Sequence, residues 1–176
     1  MNNIKILGLD ISTSCIGYAC LEVNGSTITV VEIDHYKPTK DGDIFERLAK
    51  TRKDIKKIIK RLEPDVIAIE DIIQFMGHGS SAATIIGLAQ FNRMIGLVAY
   101  DYLKASPTLL NVMKIRHGIK SGKELPSKED IPELVANHLN IEFPYVYTKT
   151  NKIAPESYDR ADATAVALYQ ALHPQG

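Results

Sequence analysis

The chain has 176 residues, 45% of them hydrophobic and 24% charged, which fits one ordinary globular domain over 1–176 and excludes a disordered or fibrous protein. Lys and Arg number 21 and Asp and Glu number 21, so the formal charge is zero. Spread evenly, such a balance would argue against a nucleic-acid partner.

Ile4–Ile11 is apolar on both faces and reads as a central strand. A second strand follows over Gly17–Val23, Asn24-Gly25 signals a hairpin turn, and Thr27–Ile33 returns as a third antiparallel strand. A helix is predicted from about Asp43 to Leu62, with Phe45, Leu48, Ile55, Ile58, Ile59 and Leu62 as its apolar stripe and Pro64 ending it. Val66–Ile69 is a short apolar strand closed by Glu70 and Asp71. A loop through Gly77-His78-Gly79 leads to Ser80 or Ser81 as N-cap of a long helix reaching about Lys104. Pro107 opens a strand predicted through Leu109, Leu110, Val112 and Ile115, and Gly118–Pro126 reads as a loop. Helices are expected at Lys128–Leu139 and Glu156–Leu172, with a Pro- and Tyr-containing irregular run between them. The order βββαβαβαα implies a mixed sheet covered by helices on both faces.

Cys15 and Cys20 stand five apart, which places them on opposite faces of an extended segment and leaves no local bridge. Two cysteines with no His pair at ligand spacing do not make a zinc site. Met1–Lys5 has no basic segment followed by an apolar one, and Gln90, Asn92, Arg93 and Asp101 interrupt the most apolar stretch, Ala82–Leu103. A cytoplasmic protein with no membrane span is the expectation.

The zero net charge hides a strong segregation. Arg47–Arg61 carries +7 and Lys104–Lys128 carries +5, so 40 residues hold +12 and the other 136 hold −12. Either patch is a solvated face or a track for phosphates. The second, with Lys114, Arg116, Lys120, Lys123 and Lys128 in a Gly-containing segment, is the better candidate for wrapping a nucleic acid.

Four acids sit where carboxylates are seldom left alone. Asp10 ends the central strand, Glu70 ends Val66–Ile69, and Asp159 and Asp162 lie one helical turn apart, with Asp162 in phase with Ala165, Val166 and Tyr169. Singly, each could cap a turn or complement a helix dipole. Together they would converge at the core edge, where burying unpaired carboxylates costs several kcal/mol unless cations hold them. Oxygen-only ligands suit Mg²⁺ or Mn²⁺, and two such ions about 4 Å apart can serve phosphodiester cleavage. Asp71 should face the other way.

Gly8-Leu9-Asp10-Ile11-Ser12-Thr13-Ser14-Cys15-Ile16-Gly17-Tyr18 resembles the first-strand motif of RuvC-type Holliday-junction resolvases. Ala68-Ile69-Glu70 is similar to that family's A-I-E, and Asp159-Arg160-Ala161-Asp162-Ala163 to its closing D-x-x-D-A helix. The resemblance spans nearly the whole chain. It implies an RNase H-like fold with a five-stranded mixed sheet, three antiparallel strands followed by parallel ones. It also implies Asp10, Glu70, Asp159 and Asp162 as catalytic and metal-binding residues, with two Mg²⁺ expected and Mn²⁺ able to substitute. Four-way DNA is the implied substrate, opened by paired nicks. Lys114 and Lys128 fall near basic positions of the family, and Phe75 follows Glu70 later than the family's base-contacting aromatic does; it either meets DNA or packs on its own domain. Ile11-Ser12 replaces the usual Pro-Gly, which suits a divergent, phage-type branch.

Two cuts in opposing strands match a two-fold dimer. Ala82–Lys104 is apolar nearly all round, so it is expected to bury one side on the sheet and another against its twin, unless neighbouring elements of the same chain cover it. Two alternatives stay open: a related nuclease acting on other branched DNA or RNA–DNA hybrids, and a non-catalytic actin-like nucleotide-binding or scaffold protein.

Overall fold

A computed structural model describes residues 3–72 and 81–174. Three strands open the chain: β1 (Ile4–Ile11), β2 (Ile16–Asn24) and β3 (Thr27–Tyr36), paired antiparallel in sequence order. Gly25, at φ 61°, takes the left-handed turn between β2 and β3. Helix α1 (Ile44–Leu62) starts at Asp43, whose side chain accepts from the Phe45 and Glu46 amides while Glu46 reaches back to the Asp43 amide. Next come β4 (Val66–Glu70), α2 (Ala82–Leu103) and β5 (Thr108–Leu110). The chain closes with α3 (Val112–Ile119), α4 (Ile131–Leu139) and α5 (Glu156–Leu172). The sheet order is β3-β2-β1-β4-β5, with β1, β4 and β5 parallel.

One expectation from the sequence is overturned. The strand predicted through Ile115 stops at Leu110, and Val112–Ile119 is a helix. Asn111 breaks the strand by accepting a hydrogen bond from the Met113 amide as N-cap, and the spacing of Val112, Ile115 and Ile119 then follows the helical period. Two of the bases expected on a loop or strand, Lys114 and Arg116, therefore ride on α3.

Strand alternation sorts the core into two layers. Leu7, Leu9 and Ile11 pack with Ile55, Ile59, Phe91 and Ile95 of α1 and α2 on one face. Ile6 and Ala68 pack with Ile115, Val135, Val166 and their neighbours from α3, α4 and α5 on the other. Cys15 and Cys20 are both buried and unpaired. Helix α2 is long and apolar enough to cross a membrane by length and composition alone. Here it is held to the sheet by buried Phe91, Asn92, Ile95, Val98 and Ala99, and by the Arg93–Asp71 ion pair at 3.0 Å.

Candidate active site

The register of two neighbouring strands begins the site. β1 and β4 run parallel with Leu9 opposite Ile69, so Asp10 and Glu70 end adjacent strands side by side. The alternation that sends Leu7 and Leu9 toward α2 turns Asp10 toward α5, and Ala68 and Glu70 follow the same rule. Asp71 points to the other face, as expected, and pairs with Arg93. Asn92, itself buried, donates its side-chain amide to the Glu70 carbonyl at 3.0 Å and fixes the strand end. The turn after Asp10 is held by Ser12, whose hydroxyl accepts from the Cys15 amide and donates to its carbonyl, and by Arg47 donating to the Thr13 carbonyl.

Helix α5 completes the site because two residues lack a Cβ. A methyl group at Gly8 would lie 2.3 Å from the Ala163 carbonyl oxygen, and one at Gly17 would lie 2.0 Å from the Asp159 carbonyl oxygen. The helix backbone thus rests directly on β1 and β2, bringing Asp159 and Asp162 to the edge where Asp10 and Glu70 end. Lys37 pairs with Glu156 and Arg160 pairs with Asp34, tying the first turn of α5 to β3 and the residue just after it.

The electrostatics are those of crowded acids. Burial first, and then repulsion from Glu70, Asp162 and Asp159, hold the Asp10 carboxyl well above the usual carboxylate range. Burial, followed by Asp162, raises Glu70 to about 7, and burial also raises Asp162. Two cations oppose this. Lys128 Nζ stands 3.3 Å from Asp162 Oδ2 and 3.8 Å from Asp159 Oδ1, and the charge of these acids raises the pKa of its ammonium against partial desolvation. Arg116 is close enough to lower both Glu70 and Asp162, and its buried Nε has no hydrogen-bond partner. Among the described residues, no three acid, His or Cys side chains stand together as a ready-made metal-ligand group. The donors offered are carboxylate oxygens in excess of nearby positive charge, the chemistry that hard divalent cations fit.

A stability measurement follows from the raised acids. A carboxyl that holds its proton more tightly folded than unfolded makes the native state the better proton acceptor, so stability falls as pH rises through the window. In EDTA, the melting temperature is expected to climb as pH drops from about 7, the Glu70 value, toward roughly 5, near the ordinary carboxylate range. Below that, the lowered acids Glu32, Asp54 and Glu156 reverse the slope as they protonate. Excess Mg²⁺ should flatten the upper limb; a melting temperature that falls from pH 7 to 5 in EDTA would contradict the assignment.

The bases expected to meet DNA do not all gather here. Lys128 and Arg116 join the acids, whereas Lys114 lies over the Tyr169 ring at 5.8 Å. Lys120 and Lys123 line an open groove that also holds Glu124, Asp130 and Glu133. Phe75, Ser80 and the segment Gly77-His78-Gly79 expected as a loop lie outside the described residues. Of the α1 patch, Arg61 pairs with Glu32 and Lys57 with Asp54, while Arg52, Lys56 and Lys60 join Lys104 along a groove between α1 and α2, on the sheet face away from α5. The direct seating of α5 at Gly8 and Gly17 was not foreseen, although both glycines stand in the quoted motif. A helical reading of Val112–Ile119 would have been the signal for Arg116.

A family model described as crossover junction endodeoxyribonuclease RuvC matches residues 6–170. The chain is 29% identical to a crossover junction endodeoxyribonuclease RuvC of Dehalococcoides mccartyi, over 97% of this chain and 93% of that protein. Among solved structures it is similar to Thermus thermophilus RuvC in complex with a Holliday junction substrate, with a TM-score of 0.74 at 17% identity, covering 98% and 96% of the two chains. It is also similar to the yeast mitochondrial Holliday junction resolvase Ydc2, at a TM-score of 0.70 and 14% identity, covering 96% of this chain and 78% of that one. At these identities the structural likeness establishes the shared fold, a five-stranded mixed sheet with flanking helices.

Proposed function

The chain belongs to the RuvC family of crossover junction endodeoxyribonucleases, and on that premise we propose that it resolves four-way DNA junctions at the Asp10, Glu70, Asp159 and Asp162 centre. The observation that carries this reading is the delivery of four acids by β1, β4 and α5 to one end of the inner strands, with Lys128 and Arg116 as cations beside them. Nucleases of this family depend on metal. The four carboxylates would hold two Mg²⁺, with Mn²⁺ as a substitute, and bound ions would supply the positive charge that polarises the scissile phosphate and acidifies a water.

The residues of the chain do the rest. Asp10 and Glu70 are fixed by strand pairing and by Asn92, so their oxygens are oriented before substrate arrives. Asp159 and Asp162 move only with α5, which Gly8 and Gly17 seat against the sheet. The Lys128 ammonium balances part of the acid charge in the free protein and turns to the substrate phosphate when DNA enters. The Arg116 guanidinium, with its unsatisfied Nε, adds a second cation on the same side. Lys114, Lys120 and Lys123 extend the contact along the DNA backbone, and the protein works in the cytoplasm on chromosomal or phage DNA.

Incubation with a synthetic four-way junction, an RNA–DNA hybrid, a flap and a linear duplex at matched salt in Mg²⁺ tests the substrate. Paired nicks in opposing strands of the junction are expected. Preferential cleavage of the hybrid or the flap would move the function to a related nuclease of the same fold.

Paired nicking calls for two centres, and α2 offers the contact for a homodimer. Ile86, Leu97 and Tyr100 are exposed on it, and a methyl group at Gly96 would meet nothing within 4 Å, so a second helix can approach closely there. Leu97→Glu is expected to shift the protein from dimer to monomer in sedimentation analysis and to convert paired resolution into single nicks. A variant that remains dimeric would place the contact elsewhere.

A further inference from the structure

The irregular run between α4 and α5 contains a small built element. Tyr147 and Ile153 face each other across an antiparallel bridge, with the Thr148 amide donating to the Lys152 carbonyl and Asn151 in the left-handed conformation at φ 57°. The Ala154 amide donates to the Val146 carbonyl, closing the hairpin at its base. This base is locked to the helix that carries two of the four acids. The Ser157 hydroxyl, fully buried, accepts from the Val146 amide at 2.9 Å and donates to its carbonyl at 3.1 Å, and Asp159 is two residues further on. Arg160 adds a bond to the Pro144 carbonyl.

The hairpin presents apolar side chains beside bases. Directly opposed residues of an antiparallel pair project to the same face. Tyr147 at 56% exposure and Ile153 at 41% therefore form one apolar face, backed by the Phe143–Tyr145–Tyr147 series at centroid spacings of 5.1 and 6.3 Å. Between them the tip carries Lys149 and Lys152 and no acid, although Glu142 lies at the far end of the aromatic series. An exposed ring on a rigid mount flanked by ammonium groups is the arrangement that stacks nucleobases while holding their phosphates. The two exposed ammonium groups are complementary to a polyanion, and the hairpin leads directly into the helix carrying Asp159 and Asp162 of the proposed cleavage centre, which commits the occupant to DNA.

We propose that the Tyr147–Ile153 hairpin is a DNA contact for the branch point, with Tyr147 stacking on a base displaced from the helical stack and Lys149 and Lys152 taking adjacent phosphates. The inference rests on the junction-resolving function above and deepens it by naming a specificity determinant bonded to the helix that carries two of the acids.

The test is fluorescence anisotropy with a labelled four-way junction and a linear duplex of equal length, in the cleavage-blocked Asp10→Asn protein. Tyr147→Ala should weaken junction binding about tenfold and change duplex binding less than about twofold, while Tyr147→Phe retains the parent affinity. Lys149→Ala with Lys152→Ala should lower the slope of log affinity against log salt by roughly 1 to 2. Junction binding by Tyr147→Ala within twofold of the parent overturns the hairpin assignment and leaves the nuclease function standing. A parent protein that binds the junction no better than the duplex overturns both. Because Tyr147 is exposed, an unchanged melting temperature verifies that the loss is one of contact.

Discussion

Asp10→Asn is expected to slow junction cleavage by about a thousandfold or more, on the order of 4 kcal/mol of lost transition-state stabilisation, while making the metal-free protein more stable. The two effects share one cause. Asp10 is buried beside Glu70, Asp162 and Asp159, so its ionised form is disfavoured by desolvation first and by like charge second. An amide of the same shape removes that cost, and a gain of roughly 1–2 kcal/mol at neutral pH in EDTA is the expected scale. For a chain of this size that corresponds to a rise in melting temperature of roughly 2–8 °C. The same amide is a poorer cation ligand, so excess Mg²⁺ should stabilise the wild type more than the variant. Single-turnover cleavage and melting curves with and without Mg²⁺ measure all of this. Cleavage equal to wild type would remove Asp10 from the chemistry. A variant several degrees less stable in EDTA would mean that the carboxylate is held by partners rather than crowded by acids.

Gly17→Ala is expected to damage both stability and activity, because the added methyl meets backbone rather than a side chain that can swing aside. Its ideal position lies 2.0 Å from the Asp159 carbonyl oxygen and 2.4 Å from the carbonyl carbon. Helix α5 must therefore lift, and overpacking of this kind costs about 3 kcal/mol, or roughly 6–12 °C in melting temperature. Asp159 and Asp162 lift with it while Asp10 and Glu70 stay with their strands. A misplacement of about 1 Å at a reacting centre is worth on the order of a hundredfold in rate. Gly122→Ala is the control, since a methyl there meets nothing within 4 Å, and its effect should stay within about 0.5 kcal/mol. Full activity in Gly17→Ala at a temperature where it is folded would show that α5 has slack that the packing does not suggest.

The parts of the molecule that were legible in the sequence are those where one local signal dominates. Ile4–Ile11, apolar on both faces, is the central strand, and Glu156–Leu172 is the last helix with the predicted limits. Asp10 and Glu70 stood out because a carboxylate closing an apolar strand is anomalous by itself, and the tertiary fold then places both strand ends together. The D-x-x-D spacing needed only the helical period. Val112–Ile119 was misread because Thr108, Leu109 and Leu110 do form a strand, and the apolar pattern continued past it; one Asn111 side chain decides where the strand ends. The Tyr147–Ile153 hairpin left no periodic trace, since side-chain bonds from Ser157 and Thr148 hold it as much as backbone ladders do. Lys128 was expected on the DNA, and its place between Asp159 and Asp162 depends on how the segment before α4 folds back, which no spacing encodes. The zero net charge with which the chain presents itself thus resolves into half-buried acids with Lys128 and Arg116 beside them, and further basic patches on the surface.

Asp10, Glu70, Asp159 and Asp162 are proposed to form one cation-binding centre that cleaves DNA. Anomalous scattering from crystals of the protein grown with Mn²⁺ would locate the bound ions. Peaks among these four carboxylates, lost in crystals of Asp10→Asn, are the predicted result. Mn²⁺ bound elsewhere, with these four side chains free of metal in a protein that still cleaves junctions, would contradict it.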